Sequence, residues 1–84
     1  MSDESVTTRI EQLVTEEQQL RKREQTDVTD TEALERDRER LRSVEIELDR
    51  CWDLLRQRRA FREAGTNPDE AAPRDADTVE RYLQ

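Results

Sequence analysis

Residues 48 to 65 read LDRCWDLLRQRRAFREAG and hold the side chains with the most chemical potential in the chain. Cys51, the only cysteine, stands beside Trp52, the only tryptophan. A thiol next to Arg50 gains thiolate character where a guanidinium lies close and water reaches it, and Cys51 would then be a nucleophile. From Arg50 to Arg62 the chain carries Arg50, Arg56, Arg58, Arg59 and Arg62 against a single acid, Asp53. Such a run is either an anion-binding patch for nucleic acid or a set of ion-pair donors. Placement argues against a reactive thiol. Cys51 falls on the apolar stripe of a helix, where a thiol acts as a small hydrophobe, and Trp52 reads as a packing residue whose indole N–H needs an acceptor at the rim.

Other chemistry is scarce. The chain has no histidine, so the common acid/base group near neutral pH is missing, along with Ser-His and Cys-His nucleophile pairs. A single glycine leaves no phosphate-cradling loop. Glu16 and Glu17 facing Glu45 and Asp49 across a helical hairpin would be the kind of oxygen cluster that holds a hard divalent cation. Solvated helix faces laced with ion pairs are the plainer reading. The expectation is therefore no catalytic residue, no cofactor, no metal and no small-molecule substrate. A net charge of −7 argues against the whole protein being a polyanion binder.

The elements that carry these residues follow from periodicity. With 44% charged and 31% hydrophobic side chains, and no Gly or Pro before Gly65, long helices are favoured over sheets. Val6, Ile10, Leu13, Val14 and Leu20 mark one face of a first helix over about residues 3–25, capped by Ser2 or Asp3, with Glu17 at the edge of the seam. Thr29 to Glu32 fits a capping box for a second helix over about 30–64. Along it Leu34, Asp37, Leu41, Val44, Leu48, Cys51 and Leu55 keep a three-four alternation that runs on through Arg58 and Arg62, and Trp52 widens the stripe. Gly65 tolerates the left-handed conformation that ends a helix.

The expected fold is all-α: an antiparallel two-helix coiled-coil hairpin over 1–65, then an acidic turn and C-terminal tail over 66–84 with a short helix at 78–83. Folding back near Thr26 to Thr29 sets Leu13 opposite Val44 and Val6 opposite Cys51 and Trp52. Leu54 and Phe61 then project from another side, beyond the cover of the first helix. Either the tail, with Val79, Tyr82 and Leu83 behind an Asp77-x-x-Glu80 cap, or a second copy of the chain must cover them. A lone hairpin with so little apolar surface is marginal, which favours two hairpins pairing as a four-helix bundle.

The stretch from Cys51 to Arg59 and the Pro68-Asp69-Glu70-Ala71 turn, with RIEQLVTEEQQLR upstream, resemble a small bacterial family filed as domain of unknown function 2630. The resemblance covers almost the whole chain. Members often carry a histidine where this chain has Gln18, which leaves a metal or acid/base role there without its ligand. The resemblance implies no activity. It does imply that the Cys-Trp-Arg stretch and the acidic turn form one unit, with Arg58, Arg59 and Arg62 meeting Asp69, Glu70 or Asp75 of the tail or of a partner chain.

The sequence therefore points to a non-enzymatic, homodimeric helical module that acts through protein–protein contacts. Its expected interface residues are Cys51, Trp52, Leu54, Leu55, Arg58, Arg59, Phe61, Arg62 and Tyr82. A nucleic-acid-associated regulator using Arg50 to Arg62 is the alternative, disfavoured because a zipper-type DNA binder sets its basic region before the heptads. A lone cysteine, no signal-peptide pattern and no bilayer-spanning apolar run point to the cytoplasm and away from the membrane.

Overall fold

The computed structural model describes residues 2–26 and 30–83, leaving aside the side chains of Thr26, Tyr82 and Leu83. Helix α1 (Asp3–Thr26) is followed by α2 (Thr31–Glu63), a 3-10 turn at Pro68–Glu70 and α3 (Ala76–Leu83), with no strand among the described residues. The two long helices pack together and run antiparallel, since Asp3 pairs with Arg58, Arg9 with Glu47 and Arg23 with Asp37. The molecule measures 54 × 25 × 16 Å. Its long axis is that of α2, whose 33 residues span about 50 Å at the α-helical rise.

The seam is built from the expected stripes. Val6, Ile10, Leu13 and Leu20 of α1 and Val44, Leu48 and Leu54 of α2 form one buried cluster, with Leu13 and Val44 wholly enclosed. Val14, Leu41, Cys51, Leu55 and Ala71 pack against it while partly exposed. Leu54 corrects the expectation of an uncovered overhang. Cover comes from the tail of the same chain, whose Ala71 joins the cluster, and from the first turn of α1, which reaches as far as Arg62. The start of α1 and the folded tail supply within one chain the cover that a second copy would have given.

Local chemistry fixes the helix ends, in places differently from the expected pattern. Ser2 caps α1, its hydroxyl accepting from the Ser5 N–H at 3.1 Å, so Asp3 is released to meet arginines. Asp30 caps α2 by accepting from Ala33 N–H at 3.1 Å. The expected Thr29 cap is displaced by one residue because a carboxylate is the stronger acceptor, and Thr29 itself lies outside the described residues. Asp75, not Asp77, caps α3, accepting from Thr78 N–H at 2.8 Å, so that helix opens at Ala76 and not at residue 78. At the other end of α2, Gly65 takes φ +78° while its N–H donates to Arg62 O at 3.1 Å and that of Thr66 to Phe61 O at 2.8 Å. Paired bonds of this kind satisfy the last carbonyls of a helix and turn the chain sharply. The turn sends residues 66–75 back along α2.

Candidate functional site

Two ion clusters hold the tail and the start of α1 against the lower half of α2. Arg58 lies where the seam ends, and its side chain is buried despite its charge. Burial is tolerated because acceptors surround the guanidinium: Asp3, the Asp69 carboxylate at 3.0 Å and the Pro68 carbonyl at 3.2 Å. Arg62 adds a second contact to Asp3 at 2.7 Å. Hydrogen bonds from Arg62 and Arg58 lower the Asp3 carboxyl from its ordinary 3.8 to about 2. Three segments distant in sequence thus share one charged clasp.

The second cluster was not anticipated from the sequence. Asp53 is 1% exposed, and Arg74 of the tail grips it through two bonds, one of them from Nε at 2.9 Å. Gln57 donates both to Asp53 at 2.9 Å and to the Ala72 carbonyl at 2.9 Å, while Arg50 Nε donates to the Arg74 carbonyl at 2.8 Å. The Arg74 hydrogen bonds hold the Asp53 carboxyl below the ordinary carboxylate range against the opposing effect of burial. A signal was present: Asp53 is the lone acid in the arginine run, and Arg74 is the lone base between Glu63 and Glu80. The attraction runs in both directions, helix base to tail acid and tail base to helix acid.

The expected interface residues separate accordingly. Leu54, Arg58 and Arg62 meet at the junction of α1, α2 and the tail, and Phe61 is half-buried beside them. Arg59 does not pair with a tail acid; it is exposed, because its place on α2 lies away from both α1 and the tail. Glu70 is exposed and Asp75 is occupied as a helix cap. Trp52 is 49% exposed and not a seam residue, since α1 approaches the side of α2 that carries Val44, Cys51 and Arg58. The side chain of Tyr82 lies outside the described residues.

Cys51 lines a cleft of about 420 Å³ with Val6, Arg9, Glu47, Arg50, Leu54 and Pro73. Burial, reinforced by Glu47, pushes its thiol above the ordinary 9.0. That is the opposite of nucleophile activation. Three of the four carboxylates of the supposed cation cluster are taken up by arginines. Glu16 binds Arg40 at 2.7 Å, and Arg21 lies between Glu17 at 3.7 Å and Glu45 at 2.7 Å.

Once α1 and the tail are in place, one face of α2 remains open. Trp52, Leu55, Arg56 and Arg59 follow at helical spacing, and Glu45, Leu48 and Asp49 extend the face toward the hairpin turn. Leu48 belongs to the buried α1–α2 cluster and Leu55 packs against it, Glu45 and Asp49 are half-buried, and Trp52, Arg56 and Arg59 are exposed. Of the five arginines in the basic run, Arg50, Arg58 and Arg62 are committed to bonds within the chain.

The model of the family described as protein of unknown function (DUF2630) matches residues 2–84. The chain belongs to this family. Among curated proteins, uncharacterised proteins of Mycobacterium bovis and of two strains of Mycobacterium tuberculosis are each 61% identical over 46 residues, which is 55% of this chain and 53% of theirs. The chain thus spans about half the length of the curated relatives it matches. No solved structure matches it. Membership of DUF2630 brings a family and no activity. No described helix is long and apolar enough to cross a membrane.

Proposed function

We propose that this DUF2630 protein is a non-enzymatic helical interaction module of the cytoplasm, homodimeric, acting through protein–protein contacts made by the open face of α2. The observation that carries this reading is Trp52, half exposed on an otherwise well-packed hairpin and flanked by Leu55, Arg56 and Arg59. Tryptophan and arginine are the residue types most enriched where binding energy concentrates, and an exposed aromatic with apolar neighbours is the usual centre of such a patch.

The non-enzymatic part rests on protonation chemistry. Hydrogen bonds from arginines lower the carboxyls of Asp3, Glu16 and Asp53, and capping of α3 lowers that of Asp75. The Cys51 thiol is raised, and histidine is missing from the sequence. General acid/base work at neutral pH calls for a group poised near 7, and these shifts all lead away from it. The nucleic-acid alternative is weakened because Arg50, Arg58 and Arg62 are engaged, which leaves Arg56 and Arg59 as the exposed part of the run.

Sedimentation equilibrium over a range of protein concentrations, read together with the fluorescence of the single tryptophan, tests this function. A concentration-dependent dimer whose emission shifts to the blue supports it, and Trp52→Ser, which removes the only tryptophan, should abolish the dimer by sedimentation while helicity stays unchanged. A monomer at all concentrations, with emission that never moves, refutes the homodimer.

A further inference from the structure

The open face of α2 carries its charges in an order that fixes how two copies meet. Glu45 lies one heptad before Trp52 and Arg59 one heptad after it, with Asp49 and Arg56 nested between. All four share the Trp52 side of the helix, since offsets of three, four and seven residues return to one face. Within one heptad of Trp52 on this face, the acids Glu45 and Asp49 stand on the hairpin-turn side and the bases Arg56 and Arg59 on the tail side.

Resting on the dimer reading above, we infer that two copies pair α2 against α2, antiparallel, about a two-fold axis at Trp52, with Arg59 of each copy meeting Glu45 of the other. An isologous contact requires each residue to face its own mirror position across the axis. In the antiparallel sense Glu45 faces Arg59 directly and Asp49 comes within one residue of the level of Arg56 on either side of the two tryptophans, while Leu48 stays in the α1–α2 core. In the parallel sense the acids of both copies gather at one end of the contact and the bases at the other, which is repulsive at both.

The face is suited to this arrangement in other respects. Arg56 and Arg59 form no ion pair within the chain among the described residues, so their charges are available. Glu45 accepts from Arg21 through Oε1, and its second oxygen remains for an arginine across the axis. α1 covers the Val44, Leu48 and Leu55 edge of this face and the tail covers the Asp53 and Gln57 side, which leaves the strip of Glu45, Trp52, Arg56 and Arg59 for the pairing. The two hairpin turns would point in opposite directions from a shared centre.

Charge reversal on the full chain tests the arrangement, with the dissociation constant read by sedimentation equilibrium. Arg59→Glu sets a new carboxylate against Glu45 twice per dimer and is expected to weaken association about tenfold or more. Adding Glu45→Arg restores opposite charges across the axis and should return the affinity to near the parent value. An independent reading comes from Glu63→Cys in a Cys51→Ser background. In the antiparallel pair the two new thiols lie about 30 Å apart along the axis, far beyond the roughly 7 Å that a disulfide allows, so no cross-linked dimer should form on oxidation. A dimer indifferent to both reversals, or one that cross-links readily through position 63, overturns the antiparallel geometry while leaving dimerisation standing. A parent protein that stays monomeric overturns the dimer itself.

Discussion

Asp53 and Arg74, 21 positions apart, form the ion pair that turns a two-helix hairpin into a closed unit. Asp53 is almost wholly enclosed, whereas a third of the Arg74 side chain remains exposed. This asymmetry matters more than the pair's mean strength. An arginine that loses its partner can rotate into water, but a buried carboxylate that loses its partner must stay charged in a poor solvent or take up a proton.

Arg74→Ala should therefore destabilise more than Asp53→Ala. The expected loss is about 2 kcal/mol or more for the arginine and about 1 kcal/mol for the aspartate, from the usual cost of orphaning a buried charge. The double variant should be no less stable than Arg74→Ala alone. Urea denaturation followed by circular dichroism measures these differences. Hydrogen exchange should show residues 71–83 losing protection first, since the pair is the tail's principal charged tie to α2.

Acid should loosen the clasp over a defined window. The Asp3 carboxyl is lowered from 3.8 to about 2 by Arg62 and Arg58, and that of Asp53 is lowered mainly by Arg74. A carboxylate with a depressed folded-state pKa adds stability that is complete above its unfolded value and disappears as pH falls through the folded one. The contribution of Asp3 should hold down to about pH 4 and be lost between there and about pH 2. The urea midpoint against pH should fall in that range, and less steeply for Asp3→Asn. An equal slope in the variant would mean that Asp3 contributes nothing.

Most of the hairpin was legible because its seam obeys one period: the spacing of Leu13 and Val44 in their stripes suffices to set them in register. The tail was less legible because its fixing is electrostatic and long-range. Asp53 sits in a run of arginines where local pattern assigns it to solvent, and only the fold-back at Gly65 brings Arg74 over it. Trp52 misled for a related reason. Its angular position adjoins the stripe, but α1 approaches from the Cys51 side, and which edge of a stripe is covered depends on a partner helix that periodicity does not locate. At the helix starts, Asp30 and Asp75 displaced the expected caps because neighbouring acids and threonines offer several acceptors close together in the chain.

Gly65 should resist substitution for a conformational reason alone. Its φ is +78°, yet a Cβ there would meet nothing within 4 Å. Gly65→Ala is thus expected to cost about 1 kcal/mol from left-handed backbone strain, partly offset by the stiffer unfolded chain. Gly65→Asn should cost less, because asparagine enters that region more readily. Thermal denaturation of the two variants gives the order. Equal losses would indicate a steric cause in place of a conformational one.

Cys51 offers the sharpest chemical prediction. Its thiol lies in the wall of the cleft beside Leu54 and Pro73, half-buried and raised above 9.0 by burial first and by Glu47 second. The thiolate is the reacting species, so alkylation by iodoacetamide at neutral pH should be slower than for an unhindered thiol, and its pH midpoint should lie above 9.0. Glu47→Gln removes a negative charge and should bring the midpoint down without unfolding the seam, since Glu47 contributes only the exposed end of the Arg9 pair. A midpoint below 9.0 in the parent protein would instead make the neighbouring Arg9 and Arg50 dominant and Cys51 an activated thiol.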